Sequence, residues 1–206
     1  NVTSCELMAR QGIDFVLDHI PGSTDPLQEK YDWYVLLEWS STRARRPGTN
    51  ETGLAEKMET YLGEAMEKGL VLDAALAQNE AQARAFWAIR ENHSEGQKRE
   101  GPSIKHDISV SVSRIAGFMA EGVAAMKKAL PDCRPVVFGH VGDGNLHFNC
   151  QSPPGWNKAQ FMAYHHAISG PVYDLVVSHG GSISAEHGIG RLKVEDLAHY
   201  RSKVEL

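Results

Sequence analysis

Twelve residues, FGHVGDGNLHFN from Phe138 to Asn149, place His140 and His147 on either side of an Asp-Gly pair. Asp-Gly between apolar runs is a strong hairpin signal. With Asp143 and Gly144 as the two central turn residues, His140 faces His147 across the strands. Directly opposed side chains share a face, with Cβ atoms about 4.5–5.5 Å apart. Two imidazoles so placed can hold one metal ion, since zinc–nitrogen bonds run about 2.0–2.1 Å. The same spacing also serves a stacked or hydrogen-bonded histidine pair within a sheet.

A third donor lies in GGSISAEHGIG, residues 180–190, where a short strand of small residues leads Glu186 and His187 into a Gly-x-Gly turn. Neighbours on a regular strand point to opposite faces. Glu186 and His187 are therefore expected to divide the work. Glu186 completes a site of two histidines and a carboxylate, and His187 stands beside it as a group that titrates near neutral pH. Taken alone, Glu-His-Gly also suits a polar strand end.

The stretch FWAIRENHSEGQKREGPSIKHDISV, residues 86–110, carries Arg90, Ser94 and Lys105, which by themselves read as ordinary surface residues. Arg90 and Ser94 stand at i and i+4 and share a helix face. Lys105 falls on the strand face opposite Ile104 and Ile108, where it can enter a polar cleft.

The elements that must position these groups follow from periodicity. Residues 33–40, WYVLLEWS, read as a strand, followed by a polar loop that carries the basic run 43–46. Apolar positions from Leu54 to Met66 recur at helical steps until Gly69 closes the run, and the apolar stretch 70–77 reads as a strand. Asn79 followed by Gln82 predicts a capped helix running to Gly96, and residues 103–112 alternate as a strand. Ser113 is placed to cap a helix that Pro131 stops; the hairpin follows. A last helix begins at Asn157 and runs to Val176, with Gly170-Pro171 expected to kink or split it. Hairpins among short strand–helix units predict one α+β domain, residues 1–206: a mostly antiparallel sheet with helices packed on one face.

Composition narrows the partners. A net charge of -5 gives no electrostatic reason for nucleic acid or an anionic membrane. No apolar run approaches the length of a membrane span. Cys5, Cys133 and Cys150 suggest neither a disulfide framework nor a thiolate zinc site, so a reducing compartment, the cytoplasm with at most peripheral contact at the inner membrane, is expected. No nucleotide-phosphate loop follows a strand. Beginning at Asn1 and stopping at Leu206, the chain reads as a piece of a longer protein.

Together, GHVGDGNLHFN and SAEHGIG resemble the two signature segments of the C-terminal domain of FAD-linked 2-hydroxy acid oxidoreductases. That group contains D-2-hydroxyglutarate dehydrogenase, D-lactate dehydrogenase and the glycolate oxidase flavin subunit, among the vanillyl-alcohol-oxidase-like flavoproteins. The order, spacing and glycine placement match over nearly the whole chain. The resemblance implies a ferredoxin-like cap domain with His140, His147 and Glu186 as ligands of a divalent metal, usually zinc. It implies His187 as the catalytic base, Asn149 on the substrate or flavin side, and Arg90, Ser94 and Lys105 as substrate-binding residues. Ser94 departs from the threonine of some members. The partners implied are a small 2-hydroxy acid, FAD held mainly by an N-terminal domain of the same polypeptide, and an electron acceptor the sequence leaves open, as it leaves a homodimer. Without that domain, the chain alone is expected to be inactive. Two other classes fit the bare residues: a metal-dependent hydrolase, and a non-enzymatic metal-binding or interaction module.

Overall fold

The computed structural model describes residues 1–42 and 53–202; the basic run 43–46 lies outside them. The chain opens with β1 (Val2–Ala9) and α1 (Arg10–His19), followed by β2 (Trp33–Trp39) and α2 (Leu54–Glu67). Next come α3 (Glu80–Glu91), α4 (His93–Arg99) and the short strands β3 (Ser103–Ile104) and β4 (Asp107–Ser109). A 3₁₀ turn leads into α5 (Ile115–Ala129), then β5 (Arg134–His140) and β6 (Asn145–Gln151) form the hairpin. The described chain closes with α6 (Lys158–Met162), α7 (His165–Ser178) and α8 (Val194–Tyr200).

The strands make one antiparallel sheet in the order β2-β1-β5-β6-β3, with β4 also paired to β6. This is the expected α+β class. The unexpected element is an interior strand, between β2 and β5. β1, followed by α1, was not read from the sequence, because VTSCELMA mixes polar and apolar residues without alternation. Leu7 and Met8 point to opposite faces, and each face has its own core. On one, Leu7, Val137, Leu146 and Phe148 pack with Phe118 of α5 and Ile168, Val172 and Val176 of α7. On the other, Met8 packs with Ile13 of α1 and Ile89 of α3, and Val136 and Phe138 pack with Phe15 of α1. Helices therefore cover both faces, α1 adding a layer to the single one expected.

Several local expectations change. The stretch 70–77 forms no regular strand: the Leu70 and Val71 amides both bond back to the Ala65 carbonyl, closing α2, and among the described residues no ladder partner takes the rest. Apolar composition supplies β-propensity only where a neighbour strand is available. The strand expected over 103–112 is interrupted at Lys105 and His106, although β3 and β4 keep one register on β6. The cause is Asn149, whose Oδ1 accepts the His106 amide at 3.2 Å. Ser113 sits inside the 3₁₀ turn and caps nothing; α5 starts at Ile115 after Arg114. Pro171 lies within α7, and the break falls earlier, at Ala163 and Tyr164. Pro171 and Ala167, whose carbonyl loses its helical donor, are both exposed, on the side of α7 where solvent can reach that carbonyl.

The largest correction is the hairpin register. His140 pairs with Asn145, and Phe138 pairs with His147. The connection spans Val141 to Gly144 because the Val141 amide bonds to the Cys5 carbonyl of β1 at 2.9 Å, while Asp143 Oδ1 accepts the Asn145 amide at 3.1 Å. Gly144 takes φ 77°, and a Cβ there would lie 1.8 Å from the Val110 carbonyl oxygen. The slip is two residues, not one, so every side chain keeps its face. His140 and His147 remain on one face, but as diagonal neighbours.

Candidate functional site

Register builds the site row by row. On the face of β5 and β6 that carries Phe138 and His140, one cross-strand row runs Glu6, His140, Asn145, Ser109, and the next runs Met8, Phe138, His147, Asp107. Asn149 stands one step further along β6. Polar side chains thus gather in the middle of a sheet, where each must find partners.

They do so in two linked groups. Glu6 is almost fully buried: its Oε2 accepts from Arg90 Nε at 2.9 Å and lies 2.9 Å from Arg90 Nη2, and its Oε1 accepts from His140 Nδ1 and Ser4 Oγ, each at 2.9 Å. His140 Nε2 lies 3.7 Å from Glu186 Oε1, which accepts from the Asn145 side-chain amide. In the second group, Asp107 Oδ2 accepts the backbone amides of Ala185, Glu186 and His187 at 3.2, 3.0 and 2.8 Å. This carboxylate fixes the turn that presents Glu186 and His187. The residues there form one isolated bridge, Ser109 to Ser182, rather than the expected strand. The His147 and His187 rings stack with centroids 5.7 Å apart, and His147 packs on Phe138 at 4.8 Å.

Among the described residues, the three metal-competent donors that come within 4.8 Å of one another are Asp107, His147 and His187. The expected ligands are placed differently: His140 and Glu186 face each other, while His147 sits across with His187. All five line one edge of the sheet face. Two carbonyl or carboxylate oxygens there, Asp107 Oδ1 and Asn145 Oδ1, are buried without a partner, so the region holds more acceptors than its own donors satisfy.

The electrostatics favour neutral imidazole beside fixed carboxylate. Burial lowers the His147 pKa against the raising influence of Glu186 and Asp107. For Asp107, burial would raise the pKa, but the His187 and Glu186 amides and the charges of His187 and Lys193 carry it below the usual value. Lys193, its own pKa lowered by burial, donates to the Ile183 carbonyl at 2.7 Å and lies 5.9 Å above the Tyr173 ring.

These groups open on a cleft of about 440 Å³ whose walls include Ser94, Lys105, His147, Asn149, His187 and Arg191. Lys105 is exposed and enters it, as its strand face predicts. Asn149 is buried, with Nδ2 donating to Gln97 Oε1 at 2.9 Å. Arg90 and Ser94 part company: α3 ends at Glu91 and α4 starts at His93, so they stand on different helices. Ser94 reaches the cleft, whereas the Arg90 guanidinium lies buried 5.1 Å over the Phe138 ring. Sequence reasoning missed Glu6 and Asp107. Glu6 left a trace, a carboxylate inside the apolar run CELMA; Asp107 left none beyond its polar neighbours.

An antiparallel α+β sheet presenting two histidine-bearing strands and a Glu-His turn on one face has a counterpart among known families. The chain belongs to the FAD linked oxidases, C-terminal domain family, whose model matches residues 1–206. It is 33% identical over 202 residues to the mitochondrial D-2-hydroxyglutarate dehydrogenase of Arabidopsis thaliana, covering 98% of this chain and 33% of that protein. The D-2-hydroxyglutarate dehydrogenases of Xanthomonas citri pv. viticola and Stutzerimonas stutzeri are each 35% identical, over 98% and 88% of this chain and 40% and 37% of theirs. The chain therefore spans well under half the length of these relatives. Among the described residues, no helix is long and apolar enough to cross a membrane.

Proposed function

We propose that this chain is the metal- and substrate-binding part of an FAD-dependent dehydrogenase that oxidises D-2-hydroxyglutarate, or a close D-2-hydroxy acid, to the 2-oxo acid. The observation that carries the reading is the gathering of His147, Glu186 and His187 at one cleft, with His140 Nε2 3.7 Å from Glu186, in a chain of this family. FAD belongs chiefly to another part of the same polypeptide.

His140 Nε2, His147 and Glu186 carry the donor types a divalent cation such as zinc takes, two imidazole nitrogens and one carboxylate oxygen with a coordination position left open, and their donor atoms, which do not all lie within 4.8 Å of one another, would draw together to share it. The 3.7 Å between His140 Nε2 and Glu186 Oε1 is close to the roughly 3.3 Å between ligands that tetrahedral geometry and zinc bond lengths require. When bound, the cation supplies Lewis acidity toward the substrate hydroxyl, and the flavin supplies a two-electron acceptor. This chain's residues do the rest. Lys105, exposed in the cleft, pairs with a substrate carboxylate, and Ser94 and Asn149 add hydrogen bonds from the same wall. Arg90, already paired to Glu6, adds positive character behind Phe138. His187, held by Asp107 through its backbone, with its ring stacked on His147 and Nδ1 3.9 Å from Asp107 Oδ2, has Nε2 to take the hydroxyl proton.

The grouping of Asp107, His147 and His187 favours a second arrangement, with the cation on those three and the free Asp107 Oδ1 as ligand. It leaves His187 unable to act as base. The two differ in which carboxylate the metal needs, Glu186 or Asp107.

The test of the activity is anaerobic. The full-length protein is titrated with D-2-hydroxyglutarate, D-lactate, D-malate and glycolate while its visible flavin spectrum is followed, with and without prior chelation. Bleaching by D-2-hydroxyglutarate that chelation abolishes is the expected result. Flavin that none of these acids reduces overturns the proposal, and hydrolysis by the flavin-free protein with added zinc would replace it.

A further inference from the structure

Glu6 is a carboxylate almost wholly removed from water on the interior strand β1, and it touches two groups that the proposed reaction uses for different purposes. Burying an ion costs several kcal/mol unless it is paired and hydrogen-bonded, and Glu6 has both oxygens occupied. Oε2 holds the Arg90 Nε and Nη2 edge, and Oε1 holds His140 Nδ1 and the Ser4 hydroxyl. β1 register places it there: Glu6 pairs directly with His140 on β5, so no linker motion separates them.

Each contact fixes more than a distance. A carboxylate only accepts, so the proton on His140 sits at Nδ1 and the lone pair at Nε2. Nε2 is the atom that faces Glu186. On Arg90, Nε and one Nη are committed to a single oxygen, while the ring of Phe138 lies beneath the guanidinium. Nη1 is the remaining nitrogen. One buried side chain therefore sets both the tautomer and direction of an imidazole and the rotation of a guanidinium.

We propose that Glu6 is a positioning residue that locks His140 as an Nδ1–H, Nε2-ligating imidazole and couples that orientation to the Arg90 guanidinium. This rests on the reading of His140 as a metal ligand given above. Carboxylates behind ligating histidines orient the ring and raise its basicity, and losing one typically weakens metal affinity by about ten- to a hundredfold. Glu6 extends that arrangement by serving the substrate side with its other oxygen.

The test uses the full-length protein and two variants, Glu6→Gln and Glu6→Asp. The Gln variant keeps the shape but cannot accept from Arg90 and His140 together. The Asp variant keeps the buried charge that Arg90 needs, but one methylene less lets it reach only one of the two, so it carries the test if the Gln variant does not fold. Zinc affinity is measured by competition with a chromophoric chelator, and kcat and KM are measured at saturating zinc. The expected result is a zinc Kd raised about ten- to a hundredfold in either variant. In Glu6→Gln, saturating zinc then recovers kcat while KM stays raised about tenfold, because a charge-assisted bond orienting Arg90 is gone; in Glu6→Asp, which keeps the charge beside Arg90 and gives up His140, saturating zinc recovers both. A purely structural Glu6 would lower the thermal midpoint and leave zinc Kd and KM at wild-type values; that result overturns the proposal while the proposed function stands. A wild-type protein with no zinc affinity overturns the metal reading itself and the His140 half of this proposal with it.

Discussion

Lowering the pH from 7 to 5 should remove about 4 kcal/mol of folding stability through two buried histidines. His93 and His106 are fully buried, and burial pushes each pKa from 6.5 down to about 4. His106 is neutral and satisfied: Nδ1 donates to the Phe148 carbonyl at 2.7 Å, and Nε2 accepts from the Ser169 hydroxyl at 2.9 Å. His93 donates from Nδ1 to the Ile89 carbonyl at 2.8 Å, and its Nε2 has no partner to receive a new proton. Between pH 6.5 and 4 the unfolded chain binds protons that the folded chain refuses, so stability falls as pH falls. A shift of about 2.5 units at 1.36 kcal/mol each is about 3 kcal/mol per histidine once pH reaches 4, and about 2 at pH 5. His147 and His165, also shifted down by burial, act in the same direction. Carboxylates with lowered values, Asp14, Glu100 and Asp107, begin to lose their contribution only near their unfolded values of 3.8 to 4.5. Urea unfolding followed by tryptophan fluorescence at pH 7, 6 and 5, on wild type and His93→Leu, is the assay. The variant should show a shallower slope by about 2 kcal/mol over that range. An equal slope in both, or a flat wild-type profile, would refute the reasoning.

Other consequences are as direct. His187→Asn should lower kcat of the full-length enzyme by about 10²–10⁴-fold, the usual worth of a general base, with metal content unchanged; steady-state kinetics beside metal analysis check it. Gly144→Ala should cost about 3 kcal/mol, combining roughly 1–2 for the left-handed backbone with overpacking against the Val110 carbonyl; denaturant midpoints read it. Gly12→Ala places a Cβ 2.4 Å from the His93 ring and should cost about 1–3 kcal/mol by the same measurement. The isolated 206-residue chain should oxidise none of the hydroxy acids in a dye-reduction assay, because its residues supply no electron acceptor.

How much of this was legible in the sequence depends on range. Asp143-Gly144 announces a hairpin, and the amphipathic periods of α2 and α5 announce helices, because these signals are local. The register was not local: the β1 carbonyl of Cys5 takes the Val141 amide and lengthens the turn. Parity protected the functional conclusion, since a two-residue slip leaves His140 and His147 on one face. Arg90 and Ser94 separated because the helix re-starts at Asn92, where the backbone leaves the helical region. Glu6 and Asp107 escaped notice because their partners lie 134 and 80 positions away, at His140 and His187. Sequence spacing carries no record of such pairs until strands are ordered.

The metal set is the central claim, and stoichiometry tests it most directly. Zinc would be determined by mass spectrometry in the purified full-length protein, in His147→Ala, and in Glu186→Gln and Asp107→Asn side by side. The account predicts one zinc per chain, lost with His147→Ala and Glu186→Gln and retained in Asp107→Asn. No metal in the wild type, or zinc that survives Glu186→Gln and is lost with Asp107→Asn, would contradict it.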